Sequence, residues 1–345
     1  MVEPGSRSRT LLALIWLLLG LAMIAVPCWL GWTRWQAILN GHPAMLAAGI
    51  ICGLVGFVAV AWSIATLTLG GRQDREGERK LSARTEAQIR RRATWRVVLA
   101  IPALIVCGIL VGLLAWTRPF VAAPVAAAAM RSEKNVVIID KVRWYEMKPV
   151  RPKDGKFVEP TTALVFVPGG RVDPRAYAAL LRPLAQAGYL VAVLKAPFGI
   201  ALADPNAADE VLQVHPEIKY WAVGGHSLGG TAAASFADSH QQANALLLCA
   251  SYPAAKLDRT DLRVVSISGS ADGLATTADI DKAKAYLPPS TLYVVIPGAV
   301  HSDFGDYGDQ PGDGQRTVDH LDAQAEIQKA ASDLLASLTP PPAKK

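Results

Sequence analysis

The 345-residue sequence predicts an α/β fold, a mostly parallel doubly wound sheet, preceded by three transmembrane helices. Three observations carry the prediction. The first 117 residues hold three long apolar runs. From residue 162 onward, short apolar segments alternate with helix-patterned ones. One of those segments, residues 219–223, runs directly into Gly225-His226-Ser227-Leu228-Gly229 and then into a stretch of small residues.

The apolar runs come first in the chain. Spans are expected at about 11–31, 44–69 and 97–117, each with the roughly 20 residues a helix needs to cross a bilayer. Two further runs after the first favour a retained anchor over a cleaved leader. The hydrophobic fraction of 51% follows from them, as does the mean hydropathy of +0.25. The net charge of +6 is equally local. Residues 1–117 carry 12 Lys+Arg against 5 Asp+Glu, and residues 118–345 carry 23 against 24. The basic character therefore belongs to the anchor and argues against nucleic acid as a partner. It concentrates between the second and third runs, at Arg72, Arg75, Arg79, Lys80, Arg84, Arg90, Arg91, Arg92 and Arg96. By the positive-inside rule this loop and the N-terminus are cytoplasmic, so the part after Arg118 is expected to be extracytoplasmic. Trp29, Trp32, Trp35 and Trp116 sit at the outward ends, where aromatic rings favour the headgroup region. The bilayer is thus an expected partner.

The remainder reads as follows. Residues 118–134 are Ala- and Pro-rich and read as a linker. Residues 135–148 suggest a strand or hairpin, and the domain is expected to run over 135–338. Apolar strands are expected at 163–167, 189–194, 219–223, 245–249, 263–268 and 291–296. Helical patterns cover 175–187, 204–214, 277–286 and 317–338, with Asp204 placed as a cap ahead of Pro205. The Pro- and Lys-rich tail 339–345 reads as disordered. Continuous apolar strands alternating with helices indicate a parallel sheet covered on both faces. Binding and catalytic residues in such sheets lie at the carboxyl ends of the strands.

The glycine-flanked Ser227 matches the sharp turn between a strand and a helix that exposes a nucleophilic serine. A serine hydroxyl needs a base, and the base needs an orienting group. Among the histidines after Ser227, His240 and His320 fall in or beside helical stretches. His301 follows a strand, in the loop 297–301, and is the candidate base. Asp272, between Ser270 and Gly273 after the strand 263–268, is the candidate acid, with Asp303 as the fallback and a loop brace as its alternative role. His226 reads as a packed neighbour of the turn. An oxyanion needs two backbone donors. Leu228 supplies one, and the loop after the first parallel strand supplies the other, with Gly170 the first choice and Arg171 the second. Arg171, Lys195 and Phe304 are candidate substrate-binding residues, although surface exposure also fits Lys195. No metal-ligand spacing is present, and no cofactor is expected. Cys249 reads as a small buried hydrophobe.

These patterns, taken in order, carry a resemblance. Residues 166–174, 195–198, 224–230, 268–273 and 301–314 together resemble the α/β-hydrolase superfamily, in particular compact bacterial enzymes akin to dienelactone hydrolases, over about residues 162–338. The resemblance implies a Ser227–Asp272–His301 triad. Two departures stand out. Dienelactone hydrolases proper use a cysteine where this chain has Ser227, so their substrate does not carry over. Pro168 stands where a histidine usually precedes the oxyanion-loop glycines. The reading is a membrane-anchored serine hydrolase, carboxylesterase- or lipase-like, acting on the ester or thioester of a small or lipid-like acyl group. An acyltransferase with the same triad and a non-catalytic binding module on this fold are the alternatives.

Overall fold

The computed structural model describes residues 4–77, 83–150 and 159–338, with side chains for 9–69, 95, 98–150 and 159–338. Arg79, Lys80 and the tail 339–345 lie outside the described residues, as do the side chains of the other arginines in the basic segment 72–96. The chain divides into two units.

The first unit, Met1–Trp35 with Ala44–Arg118, holds most of α1 (Pro4–Asn40) and α2 (Pro43–Gly77) and all of α3 (Ala83–Trp116). Within them Arg9–Asn40, Pro43–Leu69 and Val98–Trp116 are long and apolar enough to cross a membrane. Large apolar side chains point outward along all three, Leu18, Phe57 and Leu99 each at least 66% exposed. That pattern suits lipid rather than water as the surrounding medium. Helices α1 and α2 approach closely at Gly20 and Gly56. A methyl group on Gly20 would lie 2.9 Å from the Gly56 carbonyl oxygen. Small residues at helix contacts allow this approach.

The second unit is built on an eight-stranded sheet in the order β1-β2-β4-β3-β5-β6-β7-β8. Strands β1 (Val136–Asp140) and β2 (Trp144–Pro149) are antiparallel to their neighbours. Strands β3 (Thr162–Val167), β4 (Leu190–Leu194), β5 (Tyr220–His226), β6 (Ala243–Cys249), β7 (Arg263–Gly269) and β8 (Leu292–Ile296) are mutually parallel. The central strands are buried throughout because helices cover both faces. One face packs against α4 (Pro124–Ala129), α5 (Ala178–Gln186) and α9 (His320–Leu338). The other packs against α6 (Ala207–Val214) and α7 (Leu228–Ser239). Helix α8 (Thr277–Ala283), after β7, is opened by a reciprocal cap between Thr276 and Asp279.

Two local expectations differ from what is observed. Residues 119–130 are not a free linker. Ala126 is fully buried in the core shared with α5 and α9, Arg182 binds the carbonyls of Ala129 and Arg131, and Phe120 forms a parallel bridge with Val172. An alanine-rich composition reads as loose, but small side chains are what allow a short helix to lie tight against a neighbour. Asp204 does not cap a helix either. Helix α6 starts at Ala207, and Asp204 pairs with Arg143. A cap depends on local geometry, and here a cation from the β1–β2 turn has taken the carboxylate.

Candidate active site

Ser227 stands between β5 and α7 with φ +52° and ψ −127°, a conformation costly for a residue with a side chain. The glycines around it leave no alternative. A Cβ on Gly225 would sit 2.5 Å from the carbonyl carbon of Gly229, and one on Gly229 would run into the carbonyl oxygens of Val167 and Pro168. The turn is held from beneath by Ser227 N–H donating to Cys249 O (3.0 Å) and by the Ser251 hydroxyl donating to Ser227 O (2.6 Å). Ser251 follows β6, and no local motif marks it in the sequence.

His301 and Asp272 meet 29 residues apart in sequence. His301 Nδ1 lies 2.9 Å from Asp272 Oδ2, and both side chains are buried. Asp272 Oδ1 is fixed by the N–H groups of Leu274 (2.8 Å) and Ala275 (2.7 Å). With both oxygens engaged as acceptors, Asp272 takes the Nδ1 proton of His301 as a hydrogen bond. Nε2 is then left as the basic nitrogen. That Nε2 is buried and has no partner among the described residues. No hydrogen bond joins it to Ser227 Oγ in this state. Such contacts are commonly longer before substrate binds.

The loop that presents His301 is braced by three carboxylates. Asp313 accepts from His301 N–H (2.9 Å) and Ser302 N–H (2.8 Å). Burial would raise the Asp313 carboxyl, but these backbone donors and Gly314 N–H hold it below its ordinary value. Asp303 accepts from Val300 N–H and lies against Arg316 and His320. Asp303 is thus a brace. Asp306 is joined to His320 (3.0 Å) and Gln324 (3.1 Å). Hydrogen bonds to Asp303 and Asp306 push His320 up to about 9.

Gly170 and Leu228 adjoin. A Cβ on Gly170 would be 3.5 Å from Leu228 Cδ2. Neither N–H has an acceptor among the described residues, and Leu228 opens α7, at the positive end of its dipole. Arg171, the second choice for the oxyanion, is already committed: its N–H donates to Gly199 O (2.7 Å). Its guanidinium lies 5.2 Å above the Phe120 ring.

Two candidate substrate contacts are elsewhere. Lys195 is neither exposed nor part of this cluster. Its ammonium is 5% exposed and donates to Asp140 Oδ1 (2.6 Å) and Lys141 O (2.8 Å), stapling the end of β4 to the β1–β2 turn. Phe304 is fully buried and stacks on His226 at 5.9 Å. The short helical turn His301–Phe304 rolls it into the core, a direction no local pattern encodes.

A further element joins the two halves of the cluster. The Tyr177 hydroxyl accepts Gly169 N–H (2.8 Å) and lies 2.9 Å from His226 Nδ1. Its one hydrogen is left for that nitrogen, which assigns the His226 proton to Nε2. Burial, with His301 close by, holds His226 well below its ordinary value, so it is neutral. Its ring centroid is 4.5 Å from that of His301.

Residues 163–325 match the sequence model of a family described as the alpha/beta hydrolase family. No curated protein matches the chain. Among solved structures, it is similar to a dienelactone hydrolase-like promiscuous phosphotriesterase from metagenomic libraries, at 19% identity and TM-score 0.44, covering 56% of this chain and 92% of that one. It is similar to TT1662 from Thermus thermophilus at 14% identity and TM-score 0.42, over 58% and 98% of the two chains. It is also similar to ATU1826 from Agrobacterium tumefaciens, a protein of unknown function, at 17% identity and TM-score 0.41, over 60% and 100%. With the family match falling on the strands and loops just described, the second unit carries an α/β-hydrolase fold.

Proposed function

We propose that this chain is a membrane-anchored serine hydrolase that cleaves an ester or thioester through an acyl-enzyme intermediate. The observation that carries the reading is the Asp272–His301 pair, whose second imidazole nitrogen is buried and unpartnered. It shares the strand ends with a strained, half-buried Ser227 and two unused N–H groups. Ser227 Oγ attacks the substrate carbonyl as His301 Nε2 takes its proton, and Asp272 stabilises the imidazolium that forms. The N–H groups of Gly170 and Leu228 receive the oxyanion. The leaving alcohol or thiol takes the proton from His301. A water activated by the same imidazole then releases the acyl group and restores the serine.

The anchor reading rests on three helices of sufficient length and apolarity. The charge map supports a cytoplasmic N-terminus and an extracytoplasmic hydrolase unit. A hydrolase held at a bilayer is suited to lipid-like acyl substrates.

The test is labelling of the full chain in detergent with a fluorophosphonate. Covalent labelling is expected in the parent and absent in Ser227→Ala, which should also lose at least about 10⁴-fold in kcat on a p-nitrophenyl ester. A folded parent that takes no label would overturn the reading. Protease added to spheroplasts tests orientation, and protection of the second unit would reverse it.

A further inference from the structure

Residues 119–123 connect the third apolar helix to the hydrolase unit, and they are bound at two places. Phe120 N–H donates to Arg171 O (2.8 Å) and Asp173 N–H donates to Phe120 O (2.9 Å). Ala122 N–H reaches Asp173 Oδ2 (3.4 Å). These bonds grip the loop that begins with Gly169 and Gly170. Three residues further on, Ala123 N–H donates to Asp306 O (2.7 Å), which grips the loop that begins with His301. The Phe120 ring spans the same two loops. It carries the Arg171 guanidinium at 5.2 Å and lies 5.8 Å from the Tyr307 ring.

Each grip leads to a group of the candidate active site within one or two contacts. Arg171 is bonded directly to Gly170 along the chain, and its φ of +62° makes the position of that peptide sensitive to how Arg171 is held. Tyr307 lies 6.0 Å from His226, whose ring is 4.5 Å from His301. Asp306 is itself fixed by its own N–H to Ala176 O (2.8 Å) and by His320 and Gln324. The strap therefore ends on a point of the His301 loop that is itself held.

We infer that Phe120 is a positioning residue, and that the strap 119–123 holds the oxyanion loop and the catalytic-histidine loop at their working separation. The proposal rests on the serine-hydrolase reading. Its consequence is that the segment leaving the membrane completes the active site. The hydrolase core without it keeps its triad residues but loses their spacing. Displacement of about 1 Å between reacting groups is enough to cost up to ~10²-fold in rate.

The experiment uses the full chain in detergent micelles, with active sites titrated by fluorophosphonate and p-nitrophenyl butyrate as substrate. Phe120→Ala is expected to lower kcat per labelled serine about tenfold or more, with KM altered less than about threefold. Phe120→Tyr keeps a ring for both Arg171 and Tyr307, and is expected to restore most of kcat. Phe120→Leu keeps much of the bulk without the ring, and should not. A role in packing alone would lower Tm and leave kcat per labelled serine unchanged in all three.

Ala123→Pro is the second variant, and it decides if Phe120→Ala does not fold. Ala123 already has φ −64°, the value proline imposes, so the change removes the N–H given to Asp306 and puts a ring carbon against the Asp306 carbonyl, which pushes the two segments apart. It is expected to slow both turnover and labelling several-fold, with Tm within about 4 °C of the parent. Parent-level kcat and labelling rate in Ala123→Pro and in the folded Phe120 variants would overturn the inference alone. A parent that is never labelled would overturn the hydrolase reading and this inference together.

Discussion

The antiparallel edge of the sheet and the carboxyl ends of its central parallel strands treat buried polarity differently. At the antiparallel edge, Glu146 of β2 is fully buried, with cations and donors gathered on its Oε1 while Oε2 has no hydrogen-bond partner among the described residues. Lys141 Nζ is 2.8 Å away, His215 Nε2 2.9 Å, Trp144 Nε1 2.7 Å and Lys148 Nζ 3.9 Å. Burial opposes its ionisation, yet hydrogen bonds from His215, Lys141 and Trp144 bring Glu146 down to about 2. Lys195 is matched to Asp140 nearby. At the Ser227 end, a basic nitrogen is buried with no partner and two N–H groups have no acceptor. An unsatisfied buried group destabilises a fold, so its presence calls for an explanation that structure alone does not supply. At the first end polarity is spent on holding strands together. At the second, on the proposed function, it is kept available for a substrate.

Substitutions on each side sharpen that contrast. The largest effect is expected at the acid: Asp272→Asn leaves the geometry nearly intact but no longer selects the tautomer with basic Nε2. Turnover should fall about 10⁴-fold, while Tm changes little. Comparable loss of both would mean that Asp272 is a structural group like Glu146. Next comes Glu146→Gln, which leaves the buried His215 and the half-buried Lys141 and Lys148 without this counter-charge. It should destabilise by about 3 kcal/mol in urea titrations, with kcat unaltered in the folded protein. The Glu146 contribution has a sign in pH: because folding lowers its pKa, the stability is present above about 4.5 and is lost as pH falls toward 2. A drop in kcat for folded Glu146→Gln would break the division between the two ends.

The smallest expected effect is at His320. Its folded value of about 9 is raised above its ordinary 6.5. The stability it adds is therefore complete below pH 6.5 and disappears as pH rises through about 9. His320→Asn should melt below the parent at pH 6, and the two curves should converge above pH 9. A difference in Tm that stays constant with pH would mean that His320 braces the loop by shape rather than charge.

Much of the scaffold is legible in the sequence because the parallel strands are short, mostly apolar runs, most of them followed by Gly, Pro or a small residue. The loop after each run is then where chemistry is sought, and Ser227, Asp272 and His301 all lie in such loops. The pairings across long stretches of chain are not legible. Lys195 reads as an exposed or pocket-lining cation because its partner Asp140 is 55 residues away. Asp313 reads as one of several acids among glycines, and only the fold brings it under the His301 peptide. The stretch at Phe120 reads as a linker because the bonds that seat it come from backbone groups of Arg171, Asp173 and Asp306, 51 or more residues on, and backbone groups leave no sequence signature. Tyr177 and His226 belong to the same class. Each is an ordinary core residue by composition, and their connection through one hydroxyl hydrogen emerges only from position.

The positive φ of Ser227 bears on the chain's history as well as its chemistry. A side chain at that angle costs about 1 kcal/mol or more relative to glycine, which takes the conformation freely. Ser227→Gly is thus a substitution that favours persistence of the fold and abolishes any nucleophile. In a lineage that had come to use this domain only to bind or to assemble, drift toward greater robustness would run through that one codon. A serine still standing there, under strain, is what continued use of its hydroxyl would leave behind.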